Sequence, residues 1–191
     1  VDTNGSGEIQ VNDSFATEIA ASNIGTGNFT LTTTGAVTQS AAIVQAAGAG
    51  AFSVLTGAAE INLSNVANDF TGAVYLTNFN TRAIQLRDVD AVVLGYINQQ
   101  QNKAGTLAVT AGGDITQLPG TGIVTGTGGA TFTGVNGTSV LLGQSNQFNG
   151  QITFGPNKGP TDQLRDITLV SSAGIEIQSD LAISGNLALT A

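Results

Sequence analysis

The amino-acid sequence predicts an all-β fold, a parallel right-handed β-solenoid (β-helix) made of repeats of 78–80 residues with about four coils each. Three observations predict it. The chain repeats itself: Gly27-Asn28-Phe29-Thr30-Leu31-Thr32 returns as Gly105-Thr106-Leu107-Ala108-Val109-Thr110 and starts again at Gly185-Asn186-Leu187-Ala188-Leu189-Thr190. In sequence numbers the offsets are 105 − 27 = 78 and 185 − 105 = 80. Apolar residues alternate with polar ones in short runs separated by Gly, Asn and Asp, the period-two mark of strands joined by turns. Charge is scarce: 9% of the residues are charged, against about 25% in an ordinary domain. Stacked coils account for this, because equivalent side chains stand about 4.8 Å apart and like charges there repel by roughly 0.9 kcal/mol even in water. Neutral Thr, Ser and Asn avoid that repulsion.

The elements follow in chain order. Residues 1–26 form a leading segment or first coil, 27–104 repeat 1, 105–184 repeat 2 and 185–191 the start of repeat 3, in one continuous solenoid. In repeat 1 the inward residues are Phe29 and Leu31, Ile61 and Leu63, Val74 and Leu76, and Ile84 and Leu86. In repeat 2 they are Leu107 and Val109, Val140 and Leu142, Ile152 and Phe154, Ile167 and Leu169, Ile175 and Ile177, and Leu181 and Ile183. The third copy presents Leu187 and Leu189. Asn68-Asp69-Phe70-Thr71-Gly72 recurs as Asn146-Gln147-Phe148-Asn149-Gly150. Asn68, Gly72, Asn146 and Gly150 read as structural turn residues, with each Phe as a core plug at a corner. A short helix over Asp13 to Ala21 is the one helical signal. Asn136-Gly137 and Asn149-Gly150 are hairpin dipeptides and keep an antiparallel two-sheet sandwich as the competing fold. Coils of about 20 residues make nine or so in all, and the general crossover preference makes them right-handed.

Composition excludes several functions. With no His and no Cys, Ser/His/Asp and Cys/His nucleophile systems and disulfides are out. A net charge of −8 with five dispersed Lys and Arg argues against nucleic acid. The uncharged stretch Ala41 to Ala59 is too rich in Ala and Gly for a membrane span. No starting Met or signal peptide is visible, so the chain reads as a mature or excised segment.

Two constellations can carry chemistry. Asp2, Asn4, Ser6 and Asp13 place oxygen side chains at positions 1, 3, 5 and 12 of a loop with Gly7 at position 6, the spacing of a calcium loop. The other reading is a Gly/Asn turn leading into a strand at Glu8 to Val11. Calcium is thus the one cofactor considered. Arg87-Asp88-Val89-Asp90 puts two carboxylates on one face if it is a strand, and Gln163-Leu164-Arg165-Asp166 echoes Gln85-Leu86-Arg87-Asp88. Asp88 beside Arg87 reads as a solvated ion pair, and no catalytic residue is assigned.

The motifs Gly-Asn-Phe-Thr-Leu-Thr with Gly-Ala-Val-Thr-Gln at residues 27–39, Asn-Asp-Phe-Thr-Gly-Ala-Val at 68–74 and Val-Val-Leu-Gly at 92–95 resemble the repeats of large bacterial surface and secreted proteins of the filamentous-haemagglutinin type. Partial copies stand at 105–117, 146–152 and 185–191. The resemblance implies a right-handed parallel β-helix, secretion to the cell surface or medium, and adhesion or biofilm-matrix building. The expectation is a non-enzymatic structural segment of an extracellular bacterial fibre or adhesin. Its partners are its own neighbouring repeats, or other copies in a filament, and host or matrix glycans. A carbohydrate-active β-helix enzyme and a passive glycan- or receptor-binding surface are the alternatives.

Overall fold

A computed structural model describes residues 5–57, 59–79, 81–100, 102–156 and 161–191. The chain winds as a parallel β-solenoid of about eight turns, with no helix among the described residues. The first coil carries β1 (Ile9–Asp13), β2 (Thr17–Ile19) and β3 (Ser22–Ile24), one strand on each of three faces. The second repeats this with β4 (Phe29–Thr33), β5 (Val37–Gln39) and β6 (Ile43–Gln45). Next come β7 (Phe52–Thr56) and β8 (Ile61–Leu63), β9 (Val74–Asn78) and β10 (Ile84–Asp88), then β11 (Val92–Asn98) and β12 (Leu107–Ala111). The upper coils hold β13 (Ile115–Gln117), β14 (Ile123–Val124), β15 (Ala130–Thr133), β16 (Val140–Leu142), β17 (Ile152–Gly155), β18 (Ile167–Val170) and β19 (Leu187–Thr190). Every ladder between them is parallel.

The pairings order the faces. Face one stacks β1-β4-β7-β9-β11, and face two stacks β2-β5-β8-β10-β12-β15-β17. Face three opens with β3-β6 and continues through a bridge from Val44 to Asp69 and a hydrogen bond from the Val89 amide to the Asn68 carbonyl. The chain then enters β11, which turns a corner. Its first half, Val92–Leu94, carries β13, and its last two residues, Ile97 and Asn98, carry β14. An irregularity between Leu94 and Ile97 marks the bend.

The inward pattern was legible and is met in full on the middle coils. Phe29, Leu31, Ile61, Leu63, Val74, Leu76, Ile84, Leu86, Leu107, Val109, Val140, Leu142, Ile152, Phe154, Ile167 and Leu169 are all buried. Aromatic rings stack from coil to coil where the ladder brings them into register. Phe29 lies flat on Phe52, centroids 4.7 Å apart at 7°, and Phe52 leans on Phe70 at 4.9 Å. Ile175, Ile177, Leu181 and Ile183 are only partly buried and Leu187 and Leu189 are exposed, since within this chain no further coil covers them.

Three expectations need correction. The short helix at 13–21 is absent: β2 lies there, because Thr17 and Ile19 must pair with Val37 and Gln39. The hairpins at Asn136-Gly137 and Asn149-Gly150 are corner turns between parallel strands, so the sandwich is excluded. Coils are longer than expected, with face-one register steps of 20, 23 and 22 from Ile9 through Phe29 and Phe52 to Val74, and a later step of 27 from Val140 to Ile167. The longest of these steps contains Gly155 and Pro156; residues 157–160 lie outside the described residues.

The longer coil changes what a repeat does. Shifted by one repeat, β4 on face one becomes β12 on face two. Likewise β5 on face two becomes β13, and β6 on face three corresponds to β14, stacked over β11 and β9 on face one. A repeat therefore holds about three and one-third coils, not four, and each copy is rotated by one face relative to the last. The joints show it best. A repeat opens with Ile9 against Phe29 on face one, the next with Ile84 against Leu107 on face two, and the third with Ile167 against Leu187 on the ladder that β13 begins.

Candidate functional site

Corners are where this fold places its polar machinery. A strand must leave one face and enter the next, so backbone groups lose their ladder partners there, and buried side chains must replace them. Asn146 is buried and fully engaged. Its Oδ1 accepts from the Ile123 amide at 2.8 Å and from Gln117 Nε2 at 2.7 Å, while its Nδ2 donates to Gln117 Oε1 at 3.1 Å and to the Leu142 carbonyl at 3.0 Å. Asn68 does the same one repeat earlier, with the Ile43 amide, both ends of Gln39, and the Leu63 carbonyl. Both Asn, expected as turn residues, thus bond backbone groups beside a corner. Their amide partners Gln39 and Gln117 were not singled out, although their shared place in the Ala-Val-Thr-Gln and Asp-Ile-Thr-Gln copies was a usable signal.

Gly72 and Gly150 sit where coils touch. A Cβ on Gly72 would stand 1.9 Å from the Gly50 carbonyl oxygen, and one on Gly150 would stand 2.6 Å from the Gly129 nitrogen. Backbone occupies that space, so only hydrogen fits. The neighbouring Phe70 and Phe148 are buried plugs.

Of the four residues of the expected calcium loop, Ser6 and Asp13 lie among the described residues. Asp2 and Asn4 lie outside the described residues. β1 follows Ser6 and ends on Asp13, and its five extended residues span about 13 Å. Asp13 caps the corner after β1: Oδ1 accepts from the Phe15 amide and Oδ2 from the Thr17 hydroxyl, both at 3.0 Å.

The solvated ion pair expected of Arg87 and Asp88 is corrected too. Asp88 ends β10 pointing inward and is 2% exposed, whereas Arg87 points out, so they form no ion pair. The echo does form one, Arg165 Nε to Asp166 Oδ2 at 2.8 Å. There the Asn186 amide and then Arg165 hold the Asp166 carboxyl below its usual range. Asp88 has two backbone amides as partners, Phe70 at 3.2 Å and Asp90 at 3.3 Å. Carboxylate oxygens of Asp69, Asp88 and Asp90 lie within 4.8 Å of one another. Burial pushes Asp88 up to about 7; the two amides oppose this, and repulsion from Asp90 and Asp69 adds to it. Asp69 is raised as well, by burial and by Asp90, and its Oδ1 is buried without a hydrogen-bond partner. The corner thus gathers three carboxyl groups, two of them, Asp69 and Asp88, shifted towards the protonated form. Asp69 was missed as a member because it comes from an earlier corner of the winding chain, before β9 and β10, and no local pattern ties it to Asp88.

A family model described as "Repeats of unknown function (DUF5649)" matches residues 6–77 and 81–155. The chain belongs to this family. Its two matched copies start at positions 6 and 81, the same offset that carries Ile9 of β1 onto Ile84 of β10. This DUF5649 repeat is thus the rotating unit described above, cut at an earlier phase than 27–104 and 105–184. No curated protein and no solved structure matches the chain.

Proposed function

We propose that this DUF5649 chain is a structural length of an extracellular bacterial fibre or adhesin, secreted or held at the cell surface, whose repeats associate end to end or continue in a longer chain. One observation carries the reading. The joint between successive repeats is made three times by the same strand pairing, so every repeat presents its successor with the surface it received from its predecessor. A module joined in this way has no built-in length. Like-charge repulsion along the stack is kept low by the neutral Thr, Asn and Ser of the outer faces.

The mechanism is mechanical. Parallel ladders run the length of the rod, and a narrow apolar interior with a buried amide pair at each repeat holds the coils in register. Among the described residues β1 and β19 are the outermost strands of their sheet, and Leu187 and Leu189 on β19 are exposed. Such strands suit a further coil, of the same chain or of another copy.

The test joins copies in tandem. Chains of two, three and four repeats are measured by small-angle X-ray scattering. Contour length grows by about 16 Å per repeat, three and one-third coils at about 4.8 Å, at constant cross-section. Flexible beads or a compact globule would overturn the fibre reading. For location, antibodies against the chain label intact cells of the source bacterium; labelling only after lysis would count against a surface role.

A further inference from the structure

On face one the strand spacing and the bend in β11 gather side chains that the rest of the surface lacks. Phe79 and Tyr96 are both 42% exposed, and the only other strongly exposed aromatic among the described residues is Phe15. They line a groove of about 550 Å³ with the amides of Asn98, Gln100 and Gln147 and the methyls of Val124, a size within the range of small-molecule sites. The irregularity between Leu94 and Ile97 aims Tyr96 outward, as bulges do beside functional sites. Gly95 next to it is packed under the Tyr75 ring, where a Cβ would come within 2.7 Å. The chain's two tyrosines thus sit on this one face.

The polar groups are held in place. Asn98 Nδ2 donates to the Tyr96 hydroxyl at 3.2 Å, and Asn98 Oδ1 accepts from the Gln100 amide at 3.1 Å. Gln100 has φ 57°, a left-handed backbone rare for a residue other than glycine, and such strain concentrates at binding sites. The feature is not a by-product of the repeat. Phe79 lies in the gap between the two matched DUF5649 copies, and the positions one repeat before and after Tyr96 hold Glu18 and Gly174.

We propose that this groove binds a neutral polysaccharide, lying along the rod axis. Exposed aromatic rings take the C–H faces of pyranose rings, and Asn and Gln amides, each donor and acceptor, match sugar hydroxyls. The coil spacing of about 4.8 Å is of the order of one sugar ring, so successive coils meet successive sugars. Charge selects among polymers: the lining has no carboxylate and a single cation, Lys103, in a chain of net charge −8, which disfavours nucleic acid and polyanionic glycans.

Affinity electrophoresis tests it, with native gels containing galactomannan, hydroxyethylcellulose, arabinoxylan or polygalacturonate. The wild-type chain is retarded in at least one neutral gel and not by polygalacturonate. Tyr96→Ala and Phe79→Ala each weaken retardation about tenfold, Phe15→Ala leaves it unchanged, and all three variants keep the wild-type circular dichroism spectrum. Quenching of tyrosine fluorescence by the retarding sugar, lost in Tyr96→Phe/Phe79→Ala, gives a second readout. No retardation in any neutral gel, retardation by polygalacturonate alone, or retardation equal in wild type and both groove variants overturns the proposal.

Discussion

At the level of single residues, buried polar groups set the behaviour of the corners. Asn146 makes four hydrogen bonds to buried groups, so Asn146→Ala takes this partner from the Ile123 amide and the Leu142 carbonyl and leaves the Gln117 amide only its longer contacts with the Thr121 carbonyl and the Gln144 amide. The expected cost is about 2–4 kcal/mol, read as a lower urea midpoint. Asp88 gives a pH signature. Its folded pKa of about 7 stands above the ordinary 3.8, so between those values the folded state holds a proton that the unfolded state has released. Stability therefore falls as pH rises from about 4 to about 7, and Asp69 acts in the same direction. Asp88→Asn, which keeps an oxygen for the Phe70 amide, raises the melting temperature at pH 8 more than at pH 5. Melts of the two proteins that stay parallel across that range would refute the assignment.

Strands and turns are governed by how closely coils approach. Gly72 touches the coil below through its backbone, and Gly72→Ala forces a methyl into the Gly50 carbonyl, at a cost of about 3 kcal/mol or more. Gly48 offers the contrast. Nothing lies within 4 Å of a Cβ there, but φ is +75°, so Gly48→Ala costs only the left-handed strain of about 1–2 kcal/mol. Urea midpoints of the two variants separate these causes. Strand identity was readable wherever alternation ran for several residues, as at Phe29–Thr33 and Leu107–Ala111. It failed at Asp13–Ala21, where a short polar segment satisfies helix and strand patterns alike and ladder partners on the next coil, Val37 to Gln39, decide the matter.

Across the whole molecule, the rotation of each repeat by one face has a consequence for any surface feature. In a tandem array, features repeated in every unit return to the same face only after three units, about 48 Å along the rod. Labels attached at equivalent exposed sites of successive repeats are expected to spiral round the axis in electron micrographs of long arrays. Labels in a straight row would show that the unit holds a whole number of coils. The groove at Phe79 and Tyr96 is specific to one joint and does not follow this rule.

From the sequence alone came the all-β class, the repeat and most of the inward residues, because alternation and recurrence are local properties that a chain carries in one dimension. The residues Asn68, Gly72, Asn146 and Gly150 were legible for the same reason. What the tertiary structure alone decided is how long a stretch of chain closes a coil, and hence which face each repeat starts on. It also decided which distant groups meet: Gln39 with Asn68, Asp69 with Asp88, and Phe79 with Tyr96. Those partners sit a coil or so apart along the chain, and a small drift in length from coil to coil, invisible in the pattern of any one strand, determines whether they align.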